Sequence, residues 1–276
     1  MENGTGEGTI LERIVRKRRD SVAHRKRVLP DVALKLAVPK QAPARDFAAA
    51  LSREGRNVIA ELKKASPSLG LIRENYSPAS LAAALESAGA AALSVLTEED
   101  FFQGSLAHLK EAKKAVSIPI LRKDFIIDPW QVWEARSAGA DSFLLIVAIL
   151  SDELLRELLA LGRELGMEPL VEVHSREELV RANAAGAKII GVNNRDLRDF
   201  KVSLQTSLDL VTEIPDSAVA VSESGLHSPE DLLRLRKAGF DAFLIGKRLM
   251  KHRDPAAELR EMLGPVDAGA ATSRGD

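Results

Sequence analysis

Short apolar runs that end in charge recur along this chain. They read Val58-Ile-Ala-Glu61-Leu-Lys63, Pro119-Ile-Leu-Arg-Lys123-Asp124, Pro169-Leu-Val-Glu172 and Val219-Ala-Val-Ser-Glu223-Ser224-Gly225. A strand buried on both faces should be apolar throughout, because an unpaired buried charge is costly or shifts its pKa until it neutralises. One exception is compatible with a satisfied core ion pair. Four at equivalent positions predict strands whose carboxyl ends converge on one polar pocket.

Between these runs the helix punctuation is legible. Ser77-Pro78, Asp128-Pro129 and Ser228-Pro229 each set an N-cap residue before a proline suited to the first helical turn, and Ser175-Arg-Glu-Glu178 has the form of a capping box. The helices they open close at Gly89, Gly139, Gly239 and Gly186. Each of these glycines follows Ala and leads into an apolar run: Ala92–Leu96, Ser142–Val147, Ala242–Ile245 and Ile189–Val192. The glycines recur at roughly 50 residues, a period that suits two strand–helix units. The other predicted strands are Val58–Leu62, Ile118–Lys123, Glu168–Val173 and Ala218–Ser222. Eight strands alternating with helices predict an α/β fold, a closed (β/α)8 TIM barrel over residues 58–263. An open doubly wound sheet is the main alternative, but no G-x-G-x-x-G follows the first strand. Residues 9–57 form an N-terminal helical extension with at least one helix, and residues 1–8 and 264–276 are expected to be disordered ends.

Composition narrows the classes. The chain has no cysteine, which excludes disulfides, thiolate metal sites and thiol nucleophiles, and no apolar run is long enough to cross a bilayer. The N-terminus lacks the apolar core of a signal peptide, so the expectation is a cytoplasmic protein. Net charge is −1, so no global field draws the chain to nucleic acid. The basic stretch from Arg13 to Arg27 carries Ile14, Val15 and Val22 at helical spacing and no aromatic residue, which reads as a solvated face of an amphipathic helix. The five histidines show no ligand spacing, so neither a metal nor a cofactor is expected.

The candidate chemistry sits at the strand ends. Glu61 and Lys63 share a face and point into the mouth, or form a structural salt bridge. Lys123, among apolar neighbours and other cations, should have a lowered pKa, as suits a general acid or an imine nucleophile. Arg122 and Asp124 should point the opposite way and pair with helices. Glu172 suits a general base whose pKa is raised by burial, or a core glutamate bound to a lysine. Ser222-Glu-Ser-Gly225 and Leu244-Ile-Gly246-Lys247 follow the last two strands, where barrels supply backbone N–H groups to a phosphate. Asn193-Asn-Arg195 adds amide donors and a guanidinium, with an Asx-turn as the plain alternative.

Taken together, these segments resemble the indole-3-glycerol phosphate synthase family. The resemblance is carried by Ile59-Ala-Glu-Leu-Lys-Lys-Ala-Ser-Pro-Ser68, Phe101-Phe-Gln-Gly-Ser105, Leu121-Arg-Lys-Asp-Phe-Ile-Ile-Asp128, Leu144-Leu-Ile-Val147, Val171-Glu-Val173, Gly191-Val-Asn-Asn-Arg-Asp-Leu197, Ser222-Glu-Ser-Gly225 and Phe243-Leu-Ile-Gly246. It runs in family order from about Ile10 to Leu263 and implies a monomeric enzyme acting on a small phosphorylated substrate. By resemblance Lys123 is the proton donor, Glu172 the base, Lys63 a partner for substrate charge, and Glu61 the group that orients the lysines. Asn193, Glu223 and Ser224 complete the catalytic set, and Arg195 falls at a substrate-contacting position. Ser66, Pro67, Phe102, Phe125 and Leu144 match the substrate-binding wall, while Ser224, Gly225, Leu244, Gly246 and Lys247 match the phosphate end. Helix Ile10–Val15 resembles the family's extra segment that helps close the barrel mouth. Two departures stand out: Lys247, where a small or acidic residue is commoner, and Leu69, where a lysine is common.

Three other functions are weaker fits. Phosphoribosylanthranilate isomerase chemistry wants a cysteine base, which is absent here. A class I aldolase would use Lys123 as an imine, and a non-catalytic scaffold would not need Glu61, Lys63, Lys123 and Glu172 together.

Overall fold

The computed structural model describes residues 8–196 and 201–264. Apart from Gly8 and Gly264, the two expected disordered ends fall outside the described residues, as does Leu197 of the Gly191–Leu197 motif. Three helices come first: α1 (Ile10–Val28), α2 (Asp31–Ala37) and α3 (Phe47–Leu51). The strands follow as β1 (Asn57–Leu62), the two-residue β2 (Ala65–Ser66) and β3 (Gly70–Leu71), then β4 (Ala92–Leu96), β5 (Ile120–Lys123), β6 (Ser142–Ile146), β7 (Leu170–Val173), β8 (Ile189–Asn193), β9 (Val219–Glu223) and β10 (Ala242–Ile245). Between and after them run α4 (Pro78–Ser87), α5 (Leu106–Ala115), α6 (Pro129–Ser137), α7 (Asp152–Glu164), α8 (Arg176–Ala184), α9 (Gln205–Leu210), α10 (Pro229–Ala238), α11 (Lys247–Lys251) and α12 (Pro255–Leu263). β1 and β4 to β10 close into a barrel in which sequential strands are parallel neighbours and β10 returns to β1. β2 and β3 form a small antiparallel ladder outside it.

Three strands begin later than the apolar runs suggest, β9 by a single residue at Val219. β5 and β7 start at Ile120 and Leu170, each just past a proline whose ring nitrogen cannot donate to a ladder. Helix starts also differ in detail. Ser77 makes no side-chain cap bond and its hydroxyl meets that of Ser80 instead. Ser175 caps Glu178 N–H, but Glu178 does not complete the box; its carboxylate accepts from the N–H of His174. Asp128 caps α6 as expected, and Gly89, Gly139, Gly186 and Gly239 all adopt positive φ after their helices.

Alternation along the strands sorts the core into two layers. Val58, Ala60 and Leu62 face the helices, while Ile59 faces the barrel axis with Leu121, Leu144, Leu170, Ile189, Val221 and Leu244. Phe47 and Leu51 of α3 join this inner cluster and plug the end where the strands begin. One further step of two along each strand brings the inward series from these apolar residues to Glu61, Lys123, Glu172, Gly191 and Glu223, so chemistry collects at the opposite end.

The basic stretch of α1 is only partly a solvated face. Arg16, Lys17 and Arg19 are exposed, but Arg18 is 3% exposed and sits in line with Ile14 and Val22. Its guanidinium lies 3.0 Å from Asp124 and 3.6 Å from Glu98. Arg25 pairs with Glu134 and Lys26 with Asp128, so the helix is tied to the barrel by complementary charge.

Candidate active site

At the carboxyl ends of the strands opens a cavity of about 800 Å3. Every residue given a catalytic, substrate or phosphate role from the sequence borders it: Glu61, Lys63, Ser66, Pro67, Phe102, Lys123, Phe125, Leu144, Glu172, Asn193, Arg195, Glu223, Ser224, Gly225, Leu244, Gly246 and Lys247. Ile10, Leu11 and Ile14 of α1 also reach it, in keeping with the expectation that the Ile10–Val15 segment helps close the mouth. Phe101, adjacent to Phe102, is not on its wall.

Lys123 is the centre of its charge. The ammonium donates to Glu172 Oε2 at 2.9 Å and to Glu223 Oε2 at 2.6 Å. The expectation of a lysine among cations with a lowered pKa is therefore corrected. Burial does press the pKa down, but Glu172, Glu223 and Glu61 outweigh it and hold the amine protonated well above its usual value. These partners lie on other strands, so the local sequence around Lys123 carried no sign of them.

The expectation for Glu172 is corrected in the same sense. Burial alone would raise its pKa, yet Lys123 and His174 hold the carboxylate below its ordinary range. Glu223 behaves oppositely: burial, reinforced by repulsion from Glu172, outweighs Lys123 and pushes it up to about 7. Two carboxylates sharing one lysine thus differ in proton affinity because Glu172 has a second cation and Glu223 does not. Glu223 Oε1 has no hydrogen-bond partner among the described residues.

Glu61 and Lys63 pair with each other and both border the cavity, so the salt bridge and the inward orientation occur together. Arg122 turns outward as expected, whereas Asp124 also borders the cavity. Arg122 donates to the Gln131 carbonyl and pairs with Asp124 and Glu134, while Asp124 meets Arg18. Asn193 accepts from Arg195 N–H in an Asx-turn and still borders the cavity. Asn194 is buried and clamps β9 by donating to Ser222, Glu223 and Ser224.

One wall is apolar. Phe102 and Phe125 lie with ring centroids 6.1 Å apart, and the buried Leu144 lines the same cavity. Phe102 is held by Glu98, whose carboxylate accepts the backbone N–H groups of Asp100, Phe101 and Phe102. The Phe102 carbonyl in turn accepts from Ala65, next to Ser66.

The glycines at the far end make room of two kinds. Ser224 and Gly225 both have positive φ, and a Cβ on Gly225 would strike Val202. Gly246 has negative φ, and a Cβ there would overlap the carboxylate of Glu61. Its lack of a side chain therefore serves Glu61, beyond the backbone approach anticipated for it. Gly191 does the same for Glu223.

Sequence reasoning missed Arg18, Glu98 and His174. A signal existed for two of them: Arg18 lies on the apolar stripe of its helix, and His174 is two residues past Glu172. Among the described residues no cluster of His, Asp or Glu could hold a metal ion, and no helix is long and apolar enough to cross a membrane.

Comparison with known proteins gives the cavity its family. Residues 11–262 match the model of the family described as indole-3-glycerol phosphate synthase. A protein of that name from Aromatoleum aromaticum is 45% identical over 92% of this chain and 99% of its own length. Another from Roseiflexus sp. is 48% identical over 93% of this chain and 98% of its own, and one from Koribacter versatilis is 54% identical over 77% and 82%. Among solved structures, a 3-hexulose-6-phosphate synthase superposes with a TM-score of 0.60 at 16% identity, covering 75% of this chain and 98% of that one, which supports the barrel fold alone. A barrel whose mouth is lined throughout by these motifs, matched by relatives along nearly its whole length, belongs to the indole-3-glycerol phosphate synthase family.

Proposed function

We infer that this enzyme converts 1-(2-carboxyphenylamino)-1-deoxyribulose 5-phosphate to indole-3-glycerol phosphate, releasing carbon dioxide and water. The observation that carries the reading is the protonated Lys123 held between Glu172 and Glu223 at the floor of a cavity with one apolar wall. The aromatic carbon bearing the carboxylate attacks the ketone carbon, and the carbonyl electrons move to oxygen. Lys123 supplies the proton that this oxygen needs, because its carboxylate neighbours keep the amine charged. Loss of carbon dioxide returns the electrons to the ring. The hydroxyl then leaves as water while a base takes the proton from the adjacent ring carbon, a role that fits Glu172, which stays ionised. Glu223, with its raised pKa, suits proton donation to the departing hydroxyl. A charged amine is a poor nucleophile, which disfavours the imine chemistry of an aldolase.

The anthranilate ring fits against Pro67, Phe102, Phe125 and Leu144, beside the hydroxyl of Ser66. Lys63, oriented by Glu61, is suited to the substrate's carboxylate, and Asn193 and Arg195 to its hydroxyl groups. The phosphate belongs at the other end, near Ser224, Gly225, Leu244, Gly246 and Lys247. A cytoplasmic, monomeric enzyme that needs no cofactor remains the expectation from composition and resemblance. The deciding experiment mixes purified protein with the anilino-ribulose phosphate and follows indole absorbance and fluorescence. Appearance of the indole signal supports the reaction, and its absence with folded protein overturns it.

A further inference from the structure

His174 lies behind the cavity, and the proposed chemistry does not touch it. It is the first residue past β7, and its side chain is 11% exposed. Nε2 is 3.3 Å from Glu172 Oε1, and Nδ1 is 3.1 Å from Glu178 Oε2 in the first turn of α8. The same Glu178 oxygen accepts the His174 backbone N–H at 2.8 Å, while Nε2 meets Glu172 as an ion pair without a hydrogen bond. Glu172 turns its other oxygen, Oε2, to Lys123. An unbroken row of alternating charge therefore runs Glu178, His174, Glu172, Lys123, Glu223. Only an imidazolium carries a proton on both ring nitrogens. A neutral ring here would set a lone pair against a carboxylate on one side.

We propose that His174 is a positioning residue that works as an imidazolium, anchoring Glu172 Oε1 and keeping that carboxylate ionised while Oε2 serves Lys123 and the substrate. The proposal rests on the reading of Glu172 as the base. Glu172 is faced by Lys123 from β5, by Glu223 from β9 and by His174 on its own segment, with Glu61 of β1 acting on Lys123. His174 is faced by Glu172 and Glu178. Burial would lower its pKa, but these two carboxylates raise it to about 10, so the ring is charged at neutral pH. Removing that cation takes away one of the two groups that hold Glu172 below its usual range.

The test compares kcat and KM from pH 4 to 9 for wild type, His174→Asn and Glu178→Gln. In His174→Asn the acid limb of kcat should move to higher pH by at least about one unit, because a base that binds its proton more tightly is disabled sooner. kcat should therefore fall most at the acid end of the range and recover toward wild type as pH rises, with KM changed less than about twofold. Glu178→Gln, which leaves both the ring and Glu172 in place, should shift the limb in the same direction by less. A loss of kcat at every pH with an unmoved limb, or an unchanged profile, would overturn the proposal. Histidine-labelled wild-type protein offers a readout that does not depend on turnover. The His174 ring nitrogen shifts should remain those of an imidazolium up to pH 8, and a neutral-ring signal at pH 7 would overturn the proposal even if His174→Asn failed to fold. Wild type that shows the imidazolium but forms no indole would instead remove the reaction assigned above.

Discussion

Lys123 illustrates how one side chain acquires its chemistry from distant partners. Its carboxylates come from β7 and β9, and all three side chains are largely withdrawn from water. Lys123→Ala should cut kcat by at least about 100-fold, the scale of lost general acid catalysis, with little change in KM. Retention of more than about a tenth of wild-type kcat in steady-state assays would sink the role. Lys247 is a different kind of lysine, exposed at the start of α11 on the cavity rim. If it contacts the phosphate, Lys247→Ser raises KM by roughly two- to five-fold at low ionic strength, since an exposed pair contributes little. kcat should stay near wild type because the phosphate is bound alike in ground and transition states. The effect should fade with added salt, and an unchanged KM at low salt would leave the phosphate to the backbone of Gly225 and Gly246.

Among the elements, α1 does more than cover the barrel. Its Ile10, Leu11 and Ile14 form part of the cavity wall, and Arg18 reaches the loops that carry Phe102 and Phe125. The link to Phe102 runs through Glu98, which holds three successive backbone N–H groups. The link to Phe125 runs through Asp124 Oδ1, which accepts the Phe125 N–H while pairing with Arg18. Arg18→Leu should therefore do two things. It leaves Asp124 with Arg122 alone and Glu98 without a cation, costing about 3 kcal/mol of stability, the lower end of what breaking a buried pair costs. It also loosens the ring wall, so KM should rise more than kcat falls. Urea melts and steady-state kinetics check the two halves, and a variant as stable as wild type would show that Arg18 holds neither loop.

Across the whole molecule, stability should be greatest in mildly acidic to neutral solution. Asp124, buried but held low by Arg18 and Arg122, and Glu172 have depressed pKa values, so their stabilisation is present above the ordinary carboxylate range and is lost as pH falls from there through the depressed values below it. His174 is raised from 6.5 to about 10, so its stabilisation is complete below about 6.5 and disappears as pH climbs through 10. Glu223 is raised from 4.5 to about 7, so ionising it in place begins to cost stability above about 4.5 and the full penalty is reached past 7. Thermal melts from pH 3 to 10 should show a maximum near pH 5 to 6. The decline between pH 5 and 8 should flatten in Glu223→Gln, which cannot ionise. A decline of equal slope in that variant would place its origin elsewhere.

Strand alternation is a local property of the backbone, and for that reason it could be read directly. Residues two apart share a face in any strand, so Ile59, Glu61 and Lys63, or Leu170 and Glu172, declared both the inner layer and the end at which polar groups gather. Helix ends were legible for the same reason, since Asp128 and the glycines after each helix act on their immediate neighbours. The electrostatics were not. Coulomb interaction depends on distance through space, and Glu172 and Glu223 are 49 and 100 residues from Lys123 along the chain. A lysine that looked cation-crowded in sequence is carboxylate-crowded once the barrel closes, and a glutamate that looked isolated is held by a lysine and a histidine. Gly246 shows the same division on a smaller scale. Its place after the last strand was readable, but the side chain it leaves room for, Glu61, meets it only because β10 closes against β1.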